Sequence, residues 1–223
     1  MITVVIHTLD DAETLADVLE SLVPAAVSGL VREVIIADGG SSDATLDIAD
    51  ASGADIVVVG TSSSQAGFAQ AMAVGATKAR FPWLLCLPPD VRLEPDWERA
   101  AMRVVLSEAD TAARFRIVTE EGSRTDRLLA ALDLPYFSGG IGADTALLIS
   151  RAAFHRSGGY RLGGAARLRL AATRLVTIDA RAVRSRRRRG AAAHRGANGG
   201  HFGVMRWLRM RAGGKSPTQT SVT

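Results

Sequence analysis

The sequence predicts an α/β fold, an open parallel sheet with helices on both faces. Two observations carry that prediction. Through about residue 110 the chain alternates short apolar or β-branched runs with segments of helical periodicity, which is the pattern of βαβ units. One of those runs, within VREVIIADGGSSD (Val31 to Asp43), passes straight from apolar residues into Asp38, two glycines, two serines and Asp43. A buried strand that stops at a carboxylate and a Gly-Gly turn delivers the acid to the carboxyl edge of a parallel sheet, where ligands bind in such folds. The same residues also suit an ordinary strand and turn, with Asp43 capping the next helix.

The elements follow in order. Thr3 to Ile6 is a short β-branched strand. Asp11 to Val23 sets Leu15, Val18, Leu19 and Leu22 at the i, i+3, i+4, i+7 spacing of one helical face. Val34 to Ala37 is the second strand, and Asp43 to Ser52 a helix with Leu46, Ile48 and Ala49 available for burial. Asp55 to Val59 is a third strand and Gln65 to Arg80 a long Ala-rich helix. Trp83 to Leu87 (WLLCL) is a fourth strand ending at Pro88-Pro89-Asp90, and Asp96 to Ala109 a further helix. Right-handed crossovers then place helices on both faces. The glycines at Gly39-Gly40, Gly139 to Gly142 and Gly158-Gly159 read as turns with positive φ. The second cluster is also a candidate lid.

A chain of 223 residues holds one domain with a sizeable core, or one domain and an appendage. Cys86 is the only cysteine and lies inside WLLCL, so a packed thiol is expected, not a nucleophile, and no disulfide can form within the chain. The apolar start is too short for a signal peptide and lacks a basic n-region. No run approaches the ~18 apolar residues of a membrane span. A cytoplasmic protein is the expectation.

Charge divides the chain. Residues 1–160 hold 12 Lys and Arg against 22 Asp and Glu, a balance of −10, whereas residues 161–223 hold 15 against the single acid Asp179, a balance of +14. The densest run is Arg184-Ser185-Arg186-Arg187-Arg188-Arg189. The expected organisation is a domain over 1–183 and a basic tail over 184–223. Arg161 to Val183 is expected to dock on the sheet through Leu175, Val176 and Ile178. Such a tail suits an anionic membrane surface, here the inner membrane face, or a phosphorylated ligand. A merely solvated tail is the ordinary reading, supported by the loose composition of Gly190 to Gly203. Interleaved aromatics and a recognisable module are lacking, so nucleic acid is not expected as a partner. Phe202, Met205, Trp207, Leu208 and Met210 alternate with Arg206, Arg209 and Arg211. That pattern suits a short amphipathic helix lying on a bilayer, or a packed terminal helix.

Several segments carry a family resemblance. VVIHTLDDAETL is similar to a strand-turn-helix opening and VREVIIADGGSSDAT to a nucleotide-binding second strand. WLLCLPPDVRLEPDW is similar to a segment with a DxD-type metal motif, LPYFSGGIGADTALLISRAAFHRSGGY to an acceptor-side segment, and RSRRRRG to a basic segment near the end. In these the chain resembles a family 2 glycosyltransferase of the GT-A fold, especially the short bacterial arsenosugar-type subgroup. The resemblance implies a GT-A (Rossmann-like) mixed, mainly parallel sheet and a nucleoside diphosphate sugar donor. It implies that Thr8, Leu9 and Asp11 hold the nucleoside, that Asp38 contacts base or ribose, and that Asp90 binds metal. It leaves Asp144, in the acceptor segment, as the candidate general base; an acid that only caps or orients the Gly-rich turn is the ordinary reading there. Mg²⁺ or Mn²⁺ is the cofactor implied for transfer, with none required if the chemistry is lost.

The chain departs from the pattern at several places. Pro88 stands where the first metal-binding acid belongs. Phe68 and Ala73 stand where the family has an Arg and an Asn reaching the donor. The position of the usual Glu-Asp pair falls on Gly164 and Ala165, and no acid occurs between Asp144 and Asp179. A general base typically contributes roughly 10²–10⁴-fold in rate. Two functions therefore stand side by side: a glycosyltransferase-like protein using a nucleoside diphosphate sugar, and a catalytically inactive GT-A-fold binding or scaffold protein. His7, where the family commonly has Pro, either stacks on a base or is simply packed. His155, His194 and His201 lack metal-ligand spacing, so no zinc site is expected.

Overall fold

The structure is a computed structural model that describes residues 1–60, 65–107, 111–119, 141–142, 145–161, 167–168 and 174–185. β1 (Ile2–Thr8) leads to α1 (Ala12–Ser21) and α2 (Val23–Val27), then β2 (Val31–Asp38), α3 (Thr45–Ser52), β3 (Asp55–Val58) and α4 (Gln65–Lys78). β4 (Trp83–Leu87), β5 (Val91–Leu93), α5 (Trp97–Val105) and β6 (Thr111–Thr119) follow. The later elements are β7 (Ile141–Gly142), β8 (Leu147–Ser150), α6 (Arg151–Arg156), β9 (Tyr160–Arg161), β10 (Arg167–Leu168) and β11 (Arg174–Arg184).

An eight-stranded sheet has the order β3-β2-β1-β4-β8-β6-β11-β5, and a small second sheet the order β7-β10-β9. β1 to β4 are mutually parallel, with Thr8 opposite Asp38 and Ile6 opposite Leu87. β8 is antiparallel to β4 and β6, β11 parallel to β6, and β5 antiparallel to β11. The sheet is therefore mixed and mainly parallel, as expected. Strand order reverses at β1: the chain goes out to β2 and β3 on one side, then crosses to β4 on the other. That reversal opens a crevice beyond the carboxyl ends of β1 and β4.

Period-two alternation of side chains divides the core between the two faces. Val4, Ile6, Val34, Ile36, Leu85 and Leu87 pack with Leu15, Leu19 and Trp97 of α1 and α5 on one face. Val5, Ile35, Ala37, Leu84 and Cys86 pack with Ala71, Met72, Ala76 and Phe154 of α4 and α6 on the other. α4 approaches β1 closely, because a Cβ on Gly75 would stand 2.4 Å from Val5 Cγ1. Cys86 is buried, and burial pushes its thiol up to about 12, so it stays protonated and serves packing. At the amino edge Glu33, only 5% exposed, accepts from Thr3 Oγ1 (2.6 Å), Arg80 N (2.9 Å) and Arg80 Nε (2.6 Å). That carboxylate ties β1 and β2 to the α4–β4 connection, far from the crevice.

Several expectations need correction. The helix expected over 11–23 is α1, which ends at Ser21; a short second helix, α2, follows, and Pro24 near its start has no N–H to continue the α1 ladder. Part of the Gly-rich cluster is not a turn: Ile141 and Gly142 form β7, paired with β10. Gly139, Gly140 and Asp144 lie outside the described residues. Within 161–183, the described residues 174–183 do more than dock. β11 is an interior strand that buries Ile178, Ala182 and Val183, while Leu175 is 41% exposed. It ends at Arg184. The amphipathic segment at 202–211 lies outside the described residues. Among the described residues no helix is long and apolar enough to cross a membrane.

Candidate functional site

The carboxyl edge is built from two loops that follow β1 and β2. Asp38 ends β2 and is fully buried. Its Oδ2 accepts from the backbone N–H groups of Gly40 and Ser41, each at 2.8 Å, and its Oδ1 accepts from Thr8 Oγ1 (2.9 Å) and Ser41 Oγ. Four donors occupy roughly the four lone-pair directions of a carboxylate. Asp38 therefore organises its own turn, which Gly40 completes at φ 94°. Gly39 serves differently: it is not left-handed, but a Cβ there would meet Thr8 O at 3.3 Å and His7 Nε2 at 3.4 Å.

The two loops clasp each other. Asp10, at φ 53°, accepts from Ser42 N at 2.7 Å and donates its own N–H to Ser41 Oγ at 3.0 Å. In return Asp43 Oδ2 accepts from Ala12 N (3.1 Å), and its Oδ1 accepts from Thr45 N (2.9 Å) at the start of α3. Asp11, 3% exposed, accepts from Leu9 N at 2.8 Å, and its own N–H donates to Thr45 Oγ1 at 2.9 Å. The structure thus gathers Thr8, Leu9, Asp11 and Asp38 at one place. The side chains of Thr8, Asp11 and Asp38 face into the protein, and the rim includes the partly exposed His7, Leu9, Gly40 and Ser41 and the exposed Asp10. Sequence reasoning missed Asp10, because a carboxylate that bridges two loops has no local signature.

His7 is partly exposed and packed on one side. Its ring stands 5.7 Å from Phe68 in an edge arrangement, and Phe68 stands 4.9 Å from Tyr160 in another. Phe68, at the position where an Arg was expected, thus fills the space over β1 with an aromatic ladder. The Gly158-Gly159 turn, at φ 75° and 70°, delivers Tyr160 to that ladder.

Asp90 lies beyond the end of β4 at the same carboxyl edge as Asp38. Two strand spacings of ~4.8 Å separate β2 from β4, so the two acids' strands end roughly 10 Å apart. Asp90 Oδ2 is 3.4 Å from Arg184 Nε, and Asp90 O accepts from Ser185 N at 2.8 Å. Pro88 is buried and offers no side-chain ligand. Among the described residues no three His, Cys, Asp or Glu side chains gather as a metal-binding group. Mg²⁺ is commonly held by one or two carboxylates together with phosphate oxygens and water, and Asp90, the one acid of Pro88-Pro89-Asp90, already faces the Arg184 guanidinium.

Solved structures share this fold at low identity. S. aureus TarS 1-349 in complex with UDP-GlcNAc matches with a TM-score of 0.64 at 13% identity, over 94% of this chain and 65% of that one. GalNAc-T7 with UDP, GalNAc and Mn²⁺ matches at 0.60 and 15%, over 83% and 44%. Glucosyl-3-phosphoglycerate synthase from Mycobacterium tuberculosis with Mg²⁺ and UDP matches at 0.52 and 22%, over 85% and 72%. The chain spans 57% of TarS 1-349 and 65% of its UDP-GlcNAc complex, less than two thirds in each case. No curated protein matches the sequence. The model of glycosyl transferase family 2 matches residues 3–164, which include both clasped loops, the aromatic ladder and Asp90. The chain belongs to glycosyl transferase family 2.

Proposed function

We propose that the protein binds a nucleoside diphosphate sugar at the carboxyl edge of β1, β2 and β4 and acts as a glycosyltransferase-like protein. The observation that carries this reading is the pair of clasped loops at the strand-order reversal, inside the family match. Asp38, Asp11 and Thr8 then serve the donor indirectly, by fixing the backbone of Leu9 to Asp11 and Gly39 to Ser41. His7, Leu9 and Gly40 form the surface a nucleoside would touch. Structures of TarS with UDP-GlcNAc and of GalNAc-T7 with UDP support a uridine diphosphate sugar as the first donor to test.

A second reading, binding without transfer, is favoured by Pro88 and by the Arg184 contact to Asp90. Asp144 is the proposed base for transfer. Titration with UDP-GlcNAc, UDP-glucose and a guanosine diphosphate sugar should give saturable binding to at least one. Release of nucleoside diphosphate that is lost in Asp144→Asn marks transfer, and binding without release marks the second reading. Absence of binding to every donor rejects both.

We further propose that the +14 balance of residues 161–223 draws the protein to anionic bilayers. Such attraction is screened within a Debye length. Co-sedimentation with phosphatidylglycerol vesicles should be strong at low salt and weak at high salt. Replacing Arg186 to Arg189 by glutamine should reduce it, and unchanged pelleting of that variant would reject the idea.

A further inference from the structure

We infer that Arg184 supplies the positive charge for a diphosphate at this edge, in the place of an acid-held divalent cation, so that anion binding there needs no metal. The inference rests on the nucleotide-sugar reading above and deepens it.

The backbone brings Arg184 to Asp90. β11 is parallel to β6, and β6 runs the same way as β4 because β8 is antiparallel to both. β11 therefore ends at the same edge as β1 and β4. There it is antiparallel to β5, with Arg184 opposite Val91, and Ser185 N donates to Asp90 O at 2.8 Å. The turn before β5 is closed by Val91 N donating to Pro88 O at 3.2 Å. Two backbone anchors thus fix the approach, and the side-chain contact of 3.4 Å between Arg184 Nε and Asp90 Oδ2 follows from them. Neither group is sealed off, since the Arg184 side chain is 29% and the Asp90 side chain 22% exposed.

The chemistry follows from that placement. The single carboxylate left in Pro88-Pro89-Asp90 already faces a guanidinium, and a divalent ion brought to the same oxygen would be repelled by it. A guanidinium is always charged and carries five N–H donors in a planar fork that suits phosphate oxygens. Asp90 lies 3.4 Å from the Nε side of that fork and competes with an anion for its charge. In this arrangement Asp90 is the counter-charge of a cation, not a metal ligand.

Titration of the full-length protein with UDP tests the inference. Affinity with EDTA and with Mn²⁺ should agree within about twofold. Arg184→Gln should weaken UDP binding by about tenfold or more, and Arg184→Lys should recover part of the loss because charge returns without the fork. Asp90→Asn gives the sharpest contrast. Removing the competing carboxylate should tighten UDP binding, whereas a metal-ligand role requires Asp90→Asn to abolish a Mn²⁺-dependent gain. If Arg184→Gln fails to fold, the direction of the Asp90→Asn effect decides alone. A tenfold gain with Mn²⁺ that disappears in Asp90→Asn, or wild-type binding by folded Arg184→Gln, overturns this inference and leaves the nucleotide-sugar reading standing. Absence of UDP binding by the wild type, with and without metal, overturns both.

Discussion

Asp38→Ala should lower the unfolding free energy by about 3–5 kcal/mol, whereas Asp38→Asn should cost only about 1–2 kcal/mol. The difference lies in the donors. Alanine strands two backbone N–H groups and two hydroxyls that now share one buried carboxylate. Asparagine keeps an oxygen for the N–H groups of Gly40 and Ser41. Its amide can face Thr8 Oγ1 and Ser41 Oγ, because hydroxyls rotate to accept. Equilibrium denaturation followed by tryptophan fluorescence measures both values. Equal losses for the two variants would mean that the charge, not the hydrogen-bond geometry, holds the loop.

Gly75→Ala should destabilise the protein by about 2 kcal/mol, the scale of overpacking a tight core. This reverses the usual sign, since Ala is favoured over Gly by about 1 kcal/mol inside a helix. The reversal comes from Val5 Cγ1, 2.4 Å from where the new methyl would stand. Val5 is β-branched, 1% exposed and held in β1, so it has few rotamers in which to retreat. Val5→Ala should cost about 2 kcal/mol by itself. The double variant should be less destabilised than the sum, because the new methyl occupies the space that Val5 vacates. Strict additivity would show that α4 and β1 do not touch here.

Much of the fold is legible because its signals are local. Trp83 to Leu87 is apolar throughout, and the strand appears with those bounds. Asp38 is legible as the carboxylate closing β2, and its placement at the ligand edge follows from the alternation of elements. The small elements are not legible. β5 has three residues, and only pairing with β11 defines it. β11 itself hides in an arginine-rich stretch, because its burial depends on neighbours more than fifty residues earlier in the chain.

The candidate site divides the same way. The order of residue types by itself pointed to the family and to the parallel strands β1 to β4, since these depend on which side chains follow which strand. The tertiary structure alone decided what the remaining acids do. Asp38 faces four donors within its own loops, Asp10 and Asp43 clasp two loops more than thirty residues apart, and Asp90 meets Arg184. A carboxylate's role is set by the donors and charges around it, and those arrive from strands distant in sequence. The same reason places a guanidinium from the basic end of the chain at a cleft in its acidic half.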